Sequence, residues 1–283
     1  MINISPKPLL SIKRARIFCD GLDHPECIAL HPNGEWFAGG EAGQIYRIDA
    51  KGKTITEIAR SGGFILGIRI SSDGKILYAC DLKKKCVWML NLNACKSSLR
   101  PLPGSLKLNL QIPNHLCFLG GRTLLVTDSG SSQKPTGRIL WFDLLDHNKF
   151  GIWHPGPFAC AHGIGYDQVN SLVRVVCSHL PGVETIQVDA QMKAGRKLAK
   201  IQIPKTVPDG IAILQNGTML LPCYTPNRIY QISREGRIRV LMDDWFGHTL
   251  SNPTNVVLFG KNQNRLMAAN FGRWHLTEIK LAP

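Results

Sequence analysis

Several polar residues that could hold a metal ion or move a proton occupy one position of a repeated pattern. The six copies of the pattern place there Glu26, Leu66, Asn114, His162, Asp209 and Thr254. Two carboxylates, an amide and an imidazole are among them. Carboxylate and amide oxygens are hard ligands for divalent cations, whereas an imidazole nitrogen suits zinc, manganese or iron better than calcium. The set therefore predicts one divalent metal ion, with the histidine disfavouring calcium.

The spacing of the copies predicts the elements that position these residues. Successive copies are 40, 48, 48, 47 and 45 residues apart, and each contains short apolar runs separated by turns such as Asn-Gly. A strand-rich repeat of this period is typical of a β-propeller with one blade per copy. Equivalent positions on the innermost strands face the central channel. We therefore expect Glu26, Asn114, His162 and Asp209 to converge there, where a cation would compensate their buried charge.

The two ends of the chain predict how the ring closes. The sixth copy ends after its third strand, HLTEIKL (275–281), and a strand-like segment, ARIFCD (15–20), precedes the first copy. Pairing of these segments would complete the last blade and remove an exposed strand edge. The sequence thus predicts an all-β protein, a single six-bladed propeller spanning residues 1–283.

Bulk properties restrict the partners and the compartment. The formal net charge is +14, but the basic residues are scattered and no aromatic-plus-basic motif accompanies them. This pattern disfavours nucleic acid as a partner and favours a solvated surface that attracts anionic small molecules. The sequence has no long apolar run and no signal-peptide pattern at its start. Nine cysteines without a CxxC pair predict a reduced, cytoplasmic protein that does not enter a membrane.

A second set of candidates lies at the ends of the second strands, at positions that match across the blades: Glu41, Asp81, Asp128, His179, Tyr224 and Asn270. Each could contact substrate or form a hydrogen bond at the rim. We predict Asp128 and His179 as an acid–base pair acting with Asp209. We predict Glu41, Tyr224 and Asn270, together with Asn114, as substrate-binding residues. No GxSxG, HExxH or Walker motif offers another catalytic centre.

The order of several short motifs resembles a known family. These motifs are PEC (25–27), PN (113–114), TDSGS (127–131), HG (162–163), PDG (208–210) and PTNV (253–256). Together they resemble the senescence marker protein, gluconolactonase and luciferin-regenerating enzyme family of six-bladed propellers, over essentially the full chain. The resemblance implies a divalent metal near the top of the channel, with Glu26 and Asp209 as ligands. It implies that His162 is the third ligand and that Asn114 lies near the metal or orients substrate.

Two departures from the family pattern bear on the substrate. The third ligand is usually Asn in the family and is His162 here, and an Arg common in the sugar-lactone members is replaced by Ile112. A more apolar lactone or ester is therefore favoured over a polyhydroxy sugar lactone. The resemblance implies hydrolysis, in which the metal polarises the ester carbonyl and Asp209 takes a proton from water.

Two other functions remain open from the sequence. One is a cyclising, isomerising or condensing enzyme that resembles strictosidine synthase, which Ile112 and His162 keep possible. The other is a non-catalytic NHL-like propeller, which the four polar residues in one register disfavour. The sequence does not specify the oligomeric state or the physiological small-molecule substrate.

Overall fold

The computed structural model describes residues 5, 7–94 and 98–281. Within them, six antiparallel sheets follow one another along the chain, each with four or five strands. Each sheet contains one copy of the repeat, because its first strand begins at or next to the repeated position. The predicted all-β, six-bladed propeller is confirmed.

The strands of the blades are, in chain order, as follows. Strand β1 (Ala15–Asp20) precedes blade 1, which contains β2 (Ile28–Leu30), β3 (Trp36–Gly39), β4 (Gln44–Ile48) and β5 (Ile55–Arg60). Blade 2 contains β6 (Ile65–Ile70), β7 (Ile76–Asp81), β8 (Cys86–Asn91) and β9 (Arg100–Pro101). Blade 3 contains β10 (Pro113–Leu119), β11 (Thr123–Asp128), β12 (Gly137–Asp143) and β13 (Phe150–Phe158).

The second half of the ring is built in the same way. Blade 4 contains β14 (Ala161–Asp167), β15 (Leu172–Cys177), β16 (Gly182–Val188), β17 (Ala194–Lys197) and β18 (Ile201–Gln202). Blade 5 contains β19 (Val207–Pro208), β20 (Ala212–Ile213), β21 (Met219–Thr225), β22 (Arg228–Ile232) and β23 (Ile238–Asp243). Blade 6 contains β24 (Pro253–Phe259), β25 (Arg265–Asn270) and β26 (His275–Lys280), to which β1 is added.

The ring closes as predicted, because β1 pairs antiparallel with β26. Ala15 lies opposite Ile279, and Asp20 lies opposite His275. Cys19 is buried against blade 1 and blade 6 residues in one apolar cluster. The first strand is therefore part of the core, and it covers the edge that β26 would otherwise expose.

The apolar core is divided among the contacts between neighbouring blades. Six clusters of buried side chains occur, and each joins the facing surfaces of two adjacent sheets. In one of them, Cys80 of blade 2 packs with Leu124 and Val126 of blade 3. This division explains the short apolar runs of the sequence, since both faces of every blade are covered by other blades.

The inner strands are irregular at the repeated position. Strand pairing shifts between Ile65 and Ile68, between Pro113 and Leu116, between Ala161 and Ile164, and between Pro253 and Asn255. In blade 5 the inner strand is interrupted between β19 and β20, and Asp209 lies in the gap. Bulges of this kind re-aim side chains, and here they occur at the residues predicted to carry the chemistry.

The helices of the described residues are three short 3-10 turns, Ile12–Arg14, Ser105–Lys107 and Lys261–Gln263. None of them has the length or the apolar character needed to span a membrane. Eight of the nine cysteines are buried and free, and Cys95 lies outside the described residues.

Candidate metal and catalytic site

His162 and Asp209, from blades 4 and 5, form the central contact of the site. The His162 Nδ1 atom lies 3.5 Å from Asp209 Oδ2, too long for a hydrogen bond. Burial alone would lower the pKa of His162, but the neighbouring Asp209 carboxylate raises this pKa well above its ordinary value. His162 Nδ1 is buried and has no hydrogen-bond partner in the described part of the chain. The imidazole can therefore hold a proton towards Asp209 or use Nδ1 as a ligand.

Glu26, from blade 1, adds a second carboxylate to this region. Its Oε2 atom is buried, and no partner lies within hydrogen-bond distance among the described residues. Burial and the nearby negative charge of Asp209 raise the pKa of Glu26 from 4.5 to about 8. The structure thus holds two like charges close together in a position that favours a bound cation or proton.

The remaining repeat positions complete the channel mouth. Thr254 Oγ1 donates a hydrogen bond to the Glu26 carbonyl oxygen at 2.7 Å, which ties blade 6 to blade 1. Asn114 is buried, and its side chain makes no hydrogen bond to the described residues. Its amide is therefore free for a ligand. Leu66 is buried and contributes only apolar surface.

Glycines bring neighbouring blades into close backbone contact directly after three of these positions. A Cβ atom on Gly67, Gly163 or Gly210 would lie 2.5 Å from the carbonyl oxygen of Asn114, Asp209 or Thr254, respectively. Gly163 N also donates a hydrogen bond to Asp209 O at 2.9 Å. The backbone of the site residues is thus held by adjacent blades, at distances that only glycine permits.

Cys160 extends the His162–Asp209 contact into a line of three groups. Its Sγ atom lies 3.3 Å from His162 Nε2, on the other side of the imidazole from Asp209. Cys160 has a left-handed backbone conformation, with φ of 60°, immediately before β14. A thiol, an imidazole and a carboxylate in this order resemble the arrangement of a nucleophile, its base and an orienting group.

Four aromatic residues near the ends of strands in blades 2, 5 and 6 form a group that we call the aromatic wall. It consists of Phe64, Tyr224, Phe271 and Trp274. The Phe271 ring lies 5.9 Å from Phe64 in a stacked arrangement and 6.0 Å from Tyr224. Trp274 is 51% exposed, and its ring is 5.8 Å from His24. This wall offers an apolar surface to a bound molecule beside the polar residues.

Three of the second-strand candidates are internal supports of their blades. Asp81 accepts hydrogen bonds from Phe64 N and Trp88 Nε1, and Asn270 Oδ1 accepts one from Ser251 N. Asp128 accepts from Ile112 N at 2.8 Å and forms an ion pair with Arg138. Each fixes the segment that leads into its own inner strand. These contacts favour a structural role over the catalytic role predicted for Asp128 and the substrate contact predicted for Asn270.

The other three second-strand candidates lie at the rim. His179 is exposed, and only its backbone N makes a hydrogen bond, to Ala159 O. The strand register explains its position, because Cys177 and not His179 lies opposite Ala161 at the start of the inner strand. Within the described part of the chain, no hydrogen bond or ion pair joins His179 to Asp128. Tyr224 belongs to the aromatic wall.

Glu41 belongs to a small rim cluster with Asp23 and His24. In the described residues, this is the one group of three His, Cys, Asp or Glu side chains whose ligand atoms all lie within 4.8 Å of one another. Asp23 Oδ2 already accepts hydrogen bonds from Ala42 N and Gln44 Nε2. Glu26, His162 and Asp209 are spread more widely than this rim cluster.

A hydrogen-bonded layer formed by His115, Arg69 and Asn255, which we call the His115 layer, lies directly behind the site. His115 Nε2 is 3.1 Å from Arg69 Nη2 and 3.3 Å from Asn255 Nδ2, so that residues of blades 2, 3 and 6 meet across the channel. Burial, followed by the charge of Arg69, holds the pKa of His115 well below its ordinary value. A neutral imidazole that accepts at Nε2 satisfies both donors.

Sequence reasoning did not identify Cys160, Phe271 or the His115 layer. His115 and Asn255 do follow the repeated position directly, which is a signal that the alignment of the copies contains. The role of Cys160 depends on its left-handed backbone, which a cysteine in an apolar context does not predict.

Comparison with solved structures places the fold among known propellers. A gluconolactonase from Xanthomonas campestris aligns with a TM-score of 0.75 and 12% identity, covering 95% of this chain and 89% of that one. An X-ray structure of a proposed gluconolactonase aligns with a TM-score of 0.74 and 12% identity, covering 94% and 91%. The PQQ-bound aldose sugar dehydrogenase of Streptomyces coelicolor aligns with a TM-score of 0.66 and 17% identity, covering 94% and 96%.

The likeness to gluconolactonase-like propellers expected from the sequence is thus confirmed at the level of the fold. No family model matches the sequence, and no curated protein is detectably similar to it. The dehydrogenase has the same general architecture, so that the fold by itself does not select a reaction.

Proposed function

We propose that the protein is a metal-dependent hydrolase of lactones or related esters, with its site at the channel mouth. The observation that carries this proposal is the pair of buried atoms without partners, Glu26 Oε2 and His162 Nδ1, beside the Asp209 carboxylate. Buried polar atoms of native proteins are normally paired. A divalent cation would supply the missing partner for both atoms and would offset the repulsion between the carboxylates.

The residues present fit such an ion. Glu26, His162 and Asp209 would hold it, and the free amide of Asn114 would complete the set or orient the substrate. A ligand set containing an imidazole favours zinc, manganese or iron over calcium. Because the three ligand atoms are spread more widely than a tight cluster, we expect them to draw together when the ion binds. When bound, the ion would polarise the substrate carbonyl.

The protein's own residues would divide the remaining tasks. Asp209 would accept a proton from an attacking water molecule, and its position beside His162 supports this role. The aromatic wall would bind an apolar part of the substrate against Phe64 and Phe271. These aromatic residues favour a lactone with an aliphatic or aromatic substituent, whereas Ile112 packs against the apolar cluster between blades 2 and 3.

Metal content and hydrolysis test the proposal together. Purified without chelators, the protein is expected to hold about one divalent ion per chain by elemental analysis, and to hydrolyse aliphatic or aryl lactones. Asp209→Asn should lose the ion and reduce kcat/KM by about a hundredfold or more. Asp146→Asn makes the same chemical change on a surface hairpin and should alter neither quantity. Protein that contains no metal and hydrolyses lactones in the presence of chelator would contradict the metal requirement.

The line from Cys160 to Asp209 favours a second candidate, thiol-dependent ester hydrolysis. The Cys160 sulfur would attack the carbonyl carbon and His162 Nε2 would take the thiol proton. The ester C–O bond would then break as that proton passes to the leaving oxygen. Water would hydrolyse the resulting thioester. The Cys160→Ala variant separates the two candidates, because a metal-dependent enzyme keeps its bound ion and most of its activity, whereas a thiol enzyme becomes inactive.

A further inference from the structure

A cavity opens at the opposite end of the channel from Glu26 and Asp209. Its volume is about 350 Å³, and the inner strands of all six blades contribute to its wall. The lining side chains lie further along those strands than the repeated position, as Ile164 does relative to His162 and Ile213 relative to Asp209. The His115 layer separates this cavity from the proposed metal site.

Most side chains that line this rear cavity are aliphatic, and Arg69, Tyr166 and Gln263 are its polar members. Leu30, Ile70, Ile164, Ile213 and Leu258 line it from five different blades. Among the described residues, Arg69 on β6 is the one charged residue in the lining. Small-molecule sites have volumes of about 300 to 1,000 Å³, so this cavity lies at the lower end of the range. Such sites are mostly apolar, with a few polar groups that fix the orientation of the ligand.

Arg69 carries a charge that the described residues do not compensate. Its Nη1 donates to the carbonyl of Ile68 at 3.0 Å, and its Nη2 lies 3.1 Å from His115 Nε2. Neither partner is an anion. Among residues 5, 7–94 and 98–281, no carboxylate lies within 4.0 Å of the guanidinium. The remaining N–H groups of Arg69 are available at the wall of the cavity.

A guanidinium in apolar surroundings is costly to desolvate unless an anion pairs with it. Its planar fork matches a carboxylate in a bidentate arrangement. The apolar wall, in turn, suits an aliphatic chain. The net charge of +14 also favours the approach of an anion.

We propose that the rear cavity binds a medium-chain aliphatic carboxylate, with its carboxylate paired to Arg69 and its chain packed against the inner strands of the blades. This proposal does not depend on the reaction at the front of the channel. The two sites use different residues, and the His115 layer lies between them.

Binding of octanoate to the chelator-treated full-length protein tests the proposal, because removal of metal prevents carboxylate binding to an ion at the front site. Isothermal titration calorimetry is expected to show one octanoate per chain. Octan-1-ol lacks the charge and should bind about tenfold more weakly or worse. Butyrate lacks four methylene groups, each worth about fourfold when buried, and should also bind at least about tenfold more weakly.

Variants locate the site. Arg69→Leu should remove the preference for octanoate over octan-1-ol, whereas Arg196→Leu, an equal charge change on an exposed outer strand, should keep it. Leu258→Trp should weaken octanoate binding by filling the cavity without altering the guanidinium. This second variant keeps the test decisive if Arg69→Leu fails to fold.

Three outcomes would overturn the proposal. They are equal affinity for octanoate and octan-1-ol, equal affinity for octanoate and butyrate, and octanoate binding that Leu258→Trp leaves unchanged. Asp209→Asn should bind octanoate like the unmodified protein. Octanoate binding is therefore expected even if the metal-hydrolase proposal is wrong. Each of the two proposals can be contradicted without the other.

Discussion

At the scale of single residues, the dominant feature is the proximity of Glu26 to Asp209 in a partly buried channel mouth. Without a cation, one of the two carboxylates keeps a proton to a higher pH than an isolated carboxyl would. Burial and the charge of Asp209 raise the pKa of Glu26 to about 8, because a second negative charge is unfavourable at this place. The same repulsion that weakens the metal-free protein would make the site attractive to a divalent ion.

This arrangement predicts how stability depends on pH in chelator-treated protein. The folded-state pKa of Glu26 is above its ordinary value of 4.5, so the folded protein binds the extra proton between about pH 4.5 and 8. Stability is therefore greatest below pH 4.5 for this group and falls as the pH rises towards 8. The pKa of His162 is also raised in the folded protein. Its contribution to stability therefore also falls as the pH rises above 6.5, the ordinary pKa of histidine.

Thermal unfolding between pH 4.5 and 8.5 measures this effect. Glu26→Gln should flatten the decline in Tm, since an amide has no proton to lose. The exposed Glu235→Gln should leave the decline unchanged. A metal ion added at pH 8 should raise the Tm of the unmodified protein and not that of Glu26→Gln. Parallel Tm curves for the unmodified protein and Glu26→Gln would show that Glu26 is not the group responsible.

At the scale of strands and blades, the site depends on backbone contacts between neighbouring inner strands. Gly163 of β14 touches the carbonyl oxygen of Asp209, and Gly210 touches that of Thr254, both at distances with no room for a Cβ atom. Neither glycine needs a positive φ, so their role is steric. The bulged inner strands can therefore approach closely enough to place His162 beside Asp209.

Gly163→Ala tests this dependence. The new Cβ would lie 2.5 Å from Asp209 O, which must push β14 away from blade 5 and lengthen the Gly163 N to Asp209 O hydrogen bond. We expect a loss of about 1–3 kcal/mol in the free energy of unfolding and weaker metal binding. Gly121→Ala is the matched control, because its Cβ would meet no atom within 4 Å. A Gly163→Ala variant as stable as the control would exclude the steric role.

The strand scale also explains which site residues the sequence could predict. The repeat period located Glu26, Asn114, His162 and Asp209 because equivalent positions on inner strands share one environment. It missed the second-strand ends of blades 4 and 5, since bulges change the strand register there. Cys177 pairs with Ala161, and Cys223 pairs with Pro208, whereas the alignment had selected His179 and Tyr224. Asp128 does lie opposite Pro113 at the start of its inner strand, as the alignment of the copies predicted. The sequence could not predict its ion pair with Arg138, which favours a structural role.

At the scale of the whole molecule, the six interblade clusters make the ring the cooperative unit. Each blade contributes to two clusters, so that blade 6 and blade 1 depend on β1 for a continuous core. Arg16 of β1 forms an ion pair with the buried Glu278 of β26. Loss of the strand would leave this carboxylate with only Arg265 as an ionic partner in the described chain.

Deletion of residues 1–20 is therefore expected to lower the Tm by on the order of 10 °C or more, and to broaden the transition. The deletion would expose the edge of β26 and would remove Cys19 from the apolar cluster between blades 6 and 1. Differential scanning calorimetry checks both effects. Deletion of residues 1–8 leaves β1 in place and is the control. Unchanged unfolding after the longer deletion would mean that closure by β1 contributes little to stability.

The pairing of β1 with β26 also orders events during protein synthesis. The first strand is synthesised well before its partner, because the paired residues Ala15 and Ile279 lie 264 positions apart in the sequence (279 − 15). Until β26 has been synthesised, β1 must remain unpaired while blades 1 to 5 form in succession. Ring closure is then a contact of very large sequence separation, of the kind that slows folding. We expect chaperones that shield unpaired strands to act on the nascent chain, and the site at the channel mouth to gain its full affinity for metal only after β26 has paired with β1.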